Sequence, residues 1–266
     1  MLSFGLGLSR HRAGFAISYN DETQAMIDKA VAQGFALPSA ANLSLISSLI
    51  DGAKASGDWA KADRVAFWGN DSGSINFGRI NAKSPSDSLA TIVNAMRSVN
   101  KKGIEGDGVS AYVDTGYNPT TDAVNYGINS ASILIYQYKV PTIGVSLVGS
   151  DSSNVRIQSR NTSIQRLNSE ANLSTLVDFG QEGTIGMHKK TDTDIDVQVN
   201  STISATTYLS SSPSLPSASL TLLAAADATI YSNAGIALEW VGGDSSANAL
   251  ALNTLFTNYY TQLQLL

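Results

Sequence analysis

The chain has 266 residues, with 17 Lys and Arg against 22 Asp and Glu, and its formal charge of −5 argues against a nucleic-acid ligand. It has no cysteine, which excludes disulfides, thiolate metal sites and a thiol nucleophile. Charged residues are only 15% of it, so the surface must be built largely from Ser, Thr, Asn, Gln and Gly, a neutral skin suited to many symmetric copies.

The chain then reads in order as an arm, a helical segment and a β domain. Residues 1–19 form the arm. Leu2, Phe4, Leu6 and Leu8 alternate with Ser3, Gly5 and Gly7, the pattern of a short strand that adds to another chain's sheet edge. Arg10, His11 and Arg12 follow and, with Gly5 and Gly7, interrupt any apolar leader core. The arm is read as an anchor contacting its partner through Leu2, Phe4, Leu6, Leu8, Arg10 and Arg12; the plainer reading is a frayed terminus.

Residues 20–63 are the helical segment. One helix starts at Asn20 or Asp21, with Ala25, Met26, Ala30 and Val31 on a face and Gly34 as its stop. A second enters through Pro38-Ser39, repeats Leu43, Ile46, Leu49, Ile50 and Ala53 at helical spacing, and closes at Gly57. Residues 64–266 read mostly as strand and turn. The predicted strands are 65–69, 75–80, 109–114, 130–138, 142–148, 153–157, 173–179, 183–188, 194–199, 204–209, 218–224 and 228–231, with turn signals every 8–15 residues or so, the spacing of a sandwich. Ser86-Asp87-Ser88 is a possible cap for a short helix through Val93 and Met96. Pro213 and Pro216 mark a surface loop, and a last helix, capped at Asp244 or Ser245, presents Leu250, Leu252, Leu255, Phe256 and Tyr259. No segment has the roughly 20 apolar residues of a membrane helix.

The most informative run is 106–119. A Gly106-Asp107-Gly108 turn leads to Val109, Ala111 and Val113 alternating with Ser110, Tyr112 and Asp114, and Asn118-Pro119 ends the pattern. This run, Leu-Ile-Asp-Gly-Ala-Lys-Ala-Ser-Gly-Asp-Trp-Ala-Lys-Ala-Asp-Arg at 49–64, and the Leu252, Leu255, Tyr259, Leu263 helix together resemble concanavalin A-like or laminin-G-like jelly rolls of tailed-bacteriophage structural proteins. The resemblance spans about residues 36–263. It implies a mainly β fold: a two-sheet antiparallel jelly-roll sandwich with two N-terminal helices and one C-terminal helix. It also implies a non-enzymatic virion role as a fibre, tail or capsid-decoration protein, made in the host cytoplasm. Its partners would be other virion proteins, further copies of itself, and host surface glycans. A free lectin and a glycan-degrading enzyme are the rival readings. The Glu-x-Asp-x-x-Glu run of sugar-cleaving members of that fold class is missing.

The chemistry-bearing candidates are few. Tyr112, Tyr117, Tyr126, Tyr136 and Tyr138 crowd one third of the chain; outward members would stack on sugar rings, and the alternative is pairing across strands. Asp192, Asp194 and Asp196 alternate with Thr193 and Ile195, so on a strand they share one face, as a solvated surface, a calcium site or a catalytic set. Calcium is the one cofactor considered. Asp107 is read as a turn residue bonding local amides, His188 as a turn residue, and Trp59, Trp68 and Trp240 as core.

Overall fold

The computed structural model describes residues 18–142, 146–150, 154–159, 165–211, 213–225 and 230–266. The arm residues Leu2 to Arg12 lie outside them. Helix α1 (Asp21–Ala32) begins where Asn20 accepts the amide of Thr23, with Asp21 and Glu22 in its positive first turn. Helix α2 (Ala40–Ala55) is capped in the same way by Ser39, and Gly57, at φ +81°, supplies the left-handed turn between it and the short α3 (Asp58–Lys61). These follow the sequence reading closely.

The strands are β1 (Ala62–Phe67), β2 (Thr91–Val93), β3 (Arg97–Val99), β4 (Gly103–Glu105), β5 (Tyr112–Asp114), β6 (Ala131–Lys139), β7 (Ser146–Gly149), β8 (Val155–Gln158), β9 (Arg166–Leu167), β10 (Gly183–Lys189), β11 (Asp194–Val199), β12 (Thr202–Thr207), β13 (Thr221–Leu222) and β14 (Gly235–Gly242). Helix α4 (Ala249–Leu265) closes the chain. The strands form two antiparallel sheets. One runs β12-β11-β10-β6-β14-β4-β3, with β1 also on β14; the other runs β2-β5-β13-β7-β8-β9. The sheets face each other as a jelly-roll-like sandwich, as the sequence implied.

The larger sheet is covered on both faces. Along β6, Ile133 and Ile135 meet the smaller sheet in one core. Leu134, Tyr136 and Tyr138 meet the helices in a second, with Met26, Ile46, Ile50, Trp240, Leu252 and Phe256. Burial on both faces explains why β6 and β14 read as apolar runs rather than alternations. The helical layer is sewn down by Tyr259, whose hydroxyl donates to the Gly69 carbonyl at 2.6 Å and accepts from Asn42. No described helix is long and apolar enough to cross a membrane.

Several expectations are corrected. Residues 84–99 form no helix but contain β2 and β3, because their apolar positions pair with β5 and β4. The 75–80 stretch holds a 3-10 turn at Phe77–Arg79 rather than a strand. Residues 173–179 contribute only an isolated bridge at Leu173. Val109 is exposed, because 106–111 is a loop wound around Asp107 and the strand starts at Tyr112. The central strand β14 had no counterpart among the predicted strands.

Candidate binding cleft

The chemistry concentrates where β1 leaves the helical layer. The β1–β14 register shifts between Ala62 and Arg64, a bulge at Asp63. In a regular strand neighbouring side chains point to opposite faces; the extra residue re-aims one of them. Asp63 and Arg64 therefore line the same cleft, together with Asn81, Ser86, Asp87, Ser88, Thr115, Gly116, Tyr117 and Asp122. Its volume is about 570 Å³, well inside the 300–1,000 Å³ or so of small-ligand sites, yet its lining is polar where such sites are usually apolar.

Asp63 organises one wall. Its carboxylate accepts from the Tyr117 hydroxyl at 3.0 Å, the Tyr126 amide at 2.8 Å and the Asn125 side chain at 2.9 Å. These bonds hold the 117–126 loop against β1. Burial first, then the Asp63 charge, raises the Tyr117 phenol far above its ordinary value, so it stays a donor. Asn81 ties down the other wall: its oxygen accepts from the Val65 amide and its nitrogen donates to Asp63 O at 3.1 Å and Asp87 Oδ2 at 3.3 Å. Gly116, at φ +68°, makes the turn after β5, where its amide bonds Asp114.

Arg64 is 2% exposed. Its Nε donates to Glu239 Oε1 at 3.0 Å, and its Nη2 has no hydrogen-bond partner among the described residues. A buried guanidinium nitrogen without an acceptor is costly, so the Arg64–Glu239 pair is an energetic weak point in the cleft wall. On the open side, Asp87 and Asp122 are exposed. Asp87 accepts from Ser84 and Asn81, and Asp122 from Thr121 and the Asn118 amide, leaving lone pairs on both free for a ligand.

The cleft joins the two stretches that carry the sequence resemblance: Asp63 and Arg64 end 49–64, and Thr115, Gly116 and Tyr117 belong to 106–119. Sequence reading missed Asp63 and Arg64 as site residues, although both stood in the quoted run; what it lacked was the bulge. Of the tyrosines, only Tyr117 lines the cleft. Tyr136 and Tyr138 pack on Tyr260 of α4, with ring centroids 4.6 and 6.2 Å away. Tyr126 is buried against Tyr117. Burial leaves these three no ring face for an outside sugar, which corrects the outward reading and fits packing inside the sheets instead. Tyr112 is half-buried beside Tyr231.

The Asp192, Asp194 and Asp196 set does not gather. Asp194 and Asp196 do share a face of β11, opposite Ile195 and Val197 in the inter-sheet core. Asp192 instead accepts from Ser211, and Asp196 pairs with Lys190 at 2.7 Å. No group of three potential metal-ligating side chains occurs among the described residues. Asp107 behaves as a turn residue: desolvation raises its carboxyl, but the amides of Ala111, Ser110 and Val109 together outweigh it and hold the group far below the usual range. His188 is not in a turn but fully buried in β10, between Ser132 and Gln198.

Fold and cleft together define a two-sheet antiparallel β-sandwich with a helical layer and a polar cleft at a strand bulge. No protein-family model matches the chain, and no curated protein does. Among solved structures, domain 4 of the extracellular arabinanase AbnA from Geobacillus stearothermophilus, in complex with arabinotriose, is similar at 12% identity and a TM-score of 0.46, over 73% of this chain and 98% of that one. A Trypanosoma rangeli sialidase mutant displaying trans-sialidase activity is similar at 10% identity and 0.49, over 82% of this chain and 39% of that one. The binding domain of botulinum neurotoxin serotype D is similar at 7% and 0.43, over 75% and 52%. The chain thus spans well under two thirds of the last two.

Proposed function

We propose that the chain is a non-enzymatic carbohydrate-binding module and that the Arg64 cleft is its binding site. The observation that carries this reading is a cleft of about 570 Å³ walled almost wholly by hydroxyls, amides and carboxylates, with lone pairs of the exposed Asp87 and Asp122 left for a ligand. A sugar presents several hydroxyls at once, so neighbouring groups can donate to Asp87 and Asp122 together. The non-enzymatic part is supported by Asp63, the most buried carboxylate of the cleft, whose two oxygens are already engaged by Tyr117, Asn125 and Tyr126. The virion setting, with the 1–19 arm as anchor, is proposed on the sequence resemblance alone.

A glycan array followed by calorimetry on the hits tests the reading. Saturable binding is expected, weakened about tenfold or more in the Asp87→Ala/Asp122→Ala variant, the equivalent of one charged hydrogen bond. Both side chains are exposed, so the unfolding midpoint should hold. Silence across the array, or binding untouched by the double change, would overturn the assignment.

A further inference from the structure

Resting on the glycan-binding reading, we propose that the cleft discriminates by charge: it takes neutral sugars and rejects those bearing carboxylate or sulfate. The lining has three carboxylates, Asp63, Asp87 and Asp122, against one guanidinium. That guanidinium is not a free positive charge, because Glu239 sits on its Nε at 3.0 Å, with both side chains almost fully buried. Arg64 therefore adds a compensated and almost fully buried charge to the wall, not a cation open to a ligand.

The flanking cations do not alter this. Lys29 donates to the Asp87 carbonyl at 3.3 Å from outside the lining. Lys83 donates to the Trp59 carbonyl, lies over that indole and feels the Asp63 charge, which leaves Asp87 and Asp122 as the carboxylates that carry the filter. An acidic sugar would bring its charge toward the exposed Asp87 and Asp122 and find no uncompensated cation in the lining in return. A neutral hydroxyl meets no such repulsion, and its own proton suits either aspartate.

The test uses the full chain and one oligosaccharide backbone in three immobilised forms: neutral, uronate-bearing and sulfated. The neutral form should bind at least about tenfold tighter than either acidic form at low salt. The Asp87→Asn/Asp122→Asn variant should narrow that gap while keeping neutral binding measurable, since the amides preserve shape and acceptor oxygens. Equal or tighter binding of an acidic form, or a gap unchanged in the variant, would overturn the charge filter and leave carbohydrate binding standing. No binding of any form would overturn both.

Discussion

At the residue scale the Arg64–Glu239 pair decides what the cleft costs and what it can hold. Each side chain is half-satisfied: Nη2 on one and Oε2 on the other lack partners among the described residues. Removing one member strands a buried charge, at about 3–5 kcal/mol, whereas replacing both with apolar side chains is often neutral or better. Arg64→Met alone should therefore lower stability by about 3–5 kcal/mol in urea unfolding at pH 7, and Arg64→Met/Glu239→Leu should recover most of it. A double variant as unstable as the single one would show that the pair holds the sandwich together rather than serving the cleft. If the double variant folds and has lost glycan binding, the pair shapes the cleft wall rather than the fold.

At the scale of elements, His188 links β6, β10, β11 and the start of α4. The Gln198 amide nitrogen donates to the carbonyls of Asn200 and Ala249, which leaves its oxygen to accept from His188 Nε2. Nδ1 is then the acceptor for Ser132, whose oxygen takes the Ser245 amide at 2.8 Å. Every atom of this chain is satisfied only while the imidazole is neutral. Burial lowers its pKa, and the Gln198 bond and the charges of Asp244, Asp196 and Asp58 offset this only in part. The unfolded chain, with an ordinary histidine near 6.5 or so, binds the proton first. The His188 contribution is thus complete above about pH 6.5 and is lost as the pH falls from there through the lowered folded value, by at most about 1.4 kcal/mol per pH unit. In urea titrations between pH 7.5 and 4.5, wild type should lose more stability below pH 6.5 than His188→Gln does; parallel profiles would rule the network out as a proton-sensitive joint. Nothing in the sequence around His188 announced this. Lys189 and Lys190 beside it suggested a turn, yet the Lys189 stem runs into the interior and its ammonium meets the Asn168 carbonyl at 2.8 Å and the Tyr208 ring. Elements with a local signal, such as the Asn20 and Ser39 caps or the alternation in 194–199, were legible. Strands β2 and β14 were not, because their pairing is set by residues about 20 to 180 positions away rather than by their own pattern. Strand β3 pairs with the nearby β4, but Arg97-Ser98-Val99 carries no apolar alternation to announce it.

At the scale of the molecule, the separation into a helical segment at 20–63 and a sandwich at 64–266 describes the sequence better than it describes the stability. Sequence periodicity shows that α1 and α2 have an apolar face, but not that β6 and β14 have a second one to receive it. Leu134, Tyr136, Leu238 and Trp240 all point away from the inter-sheet core and are covered by Met26, Leu43, Ile46, Leu49, Ile50, Trp59 and α4. At about 1.5–3 kcal/mol for each large apolar side chain buried, the six named helix-side residues are worth as much as the 5–15 kcal/mol or so of net stability of a typical domain. A fragment of residues 62–266 is accordingly expected to be insoluble or to bind hydrophobic dyes, with no cooperative thermal transition, and coexpressed residues 18–61 should restore solubility. The Asp63 bulge lies at that same junction, held by Asn125 and Asn81 on one side and continuous with α3 on the other. Losing the layer should therefore abolish the cleft along with the fold. A soluble 62–266 fragment with a cooperative transition and retained glycan binding would mean that the sandwich stands alone and that the helices are an accessory.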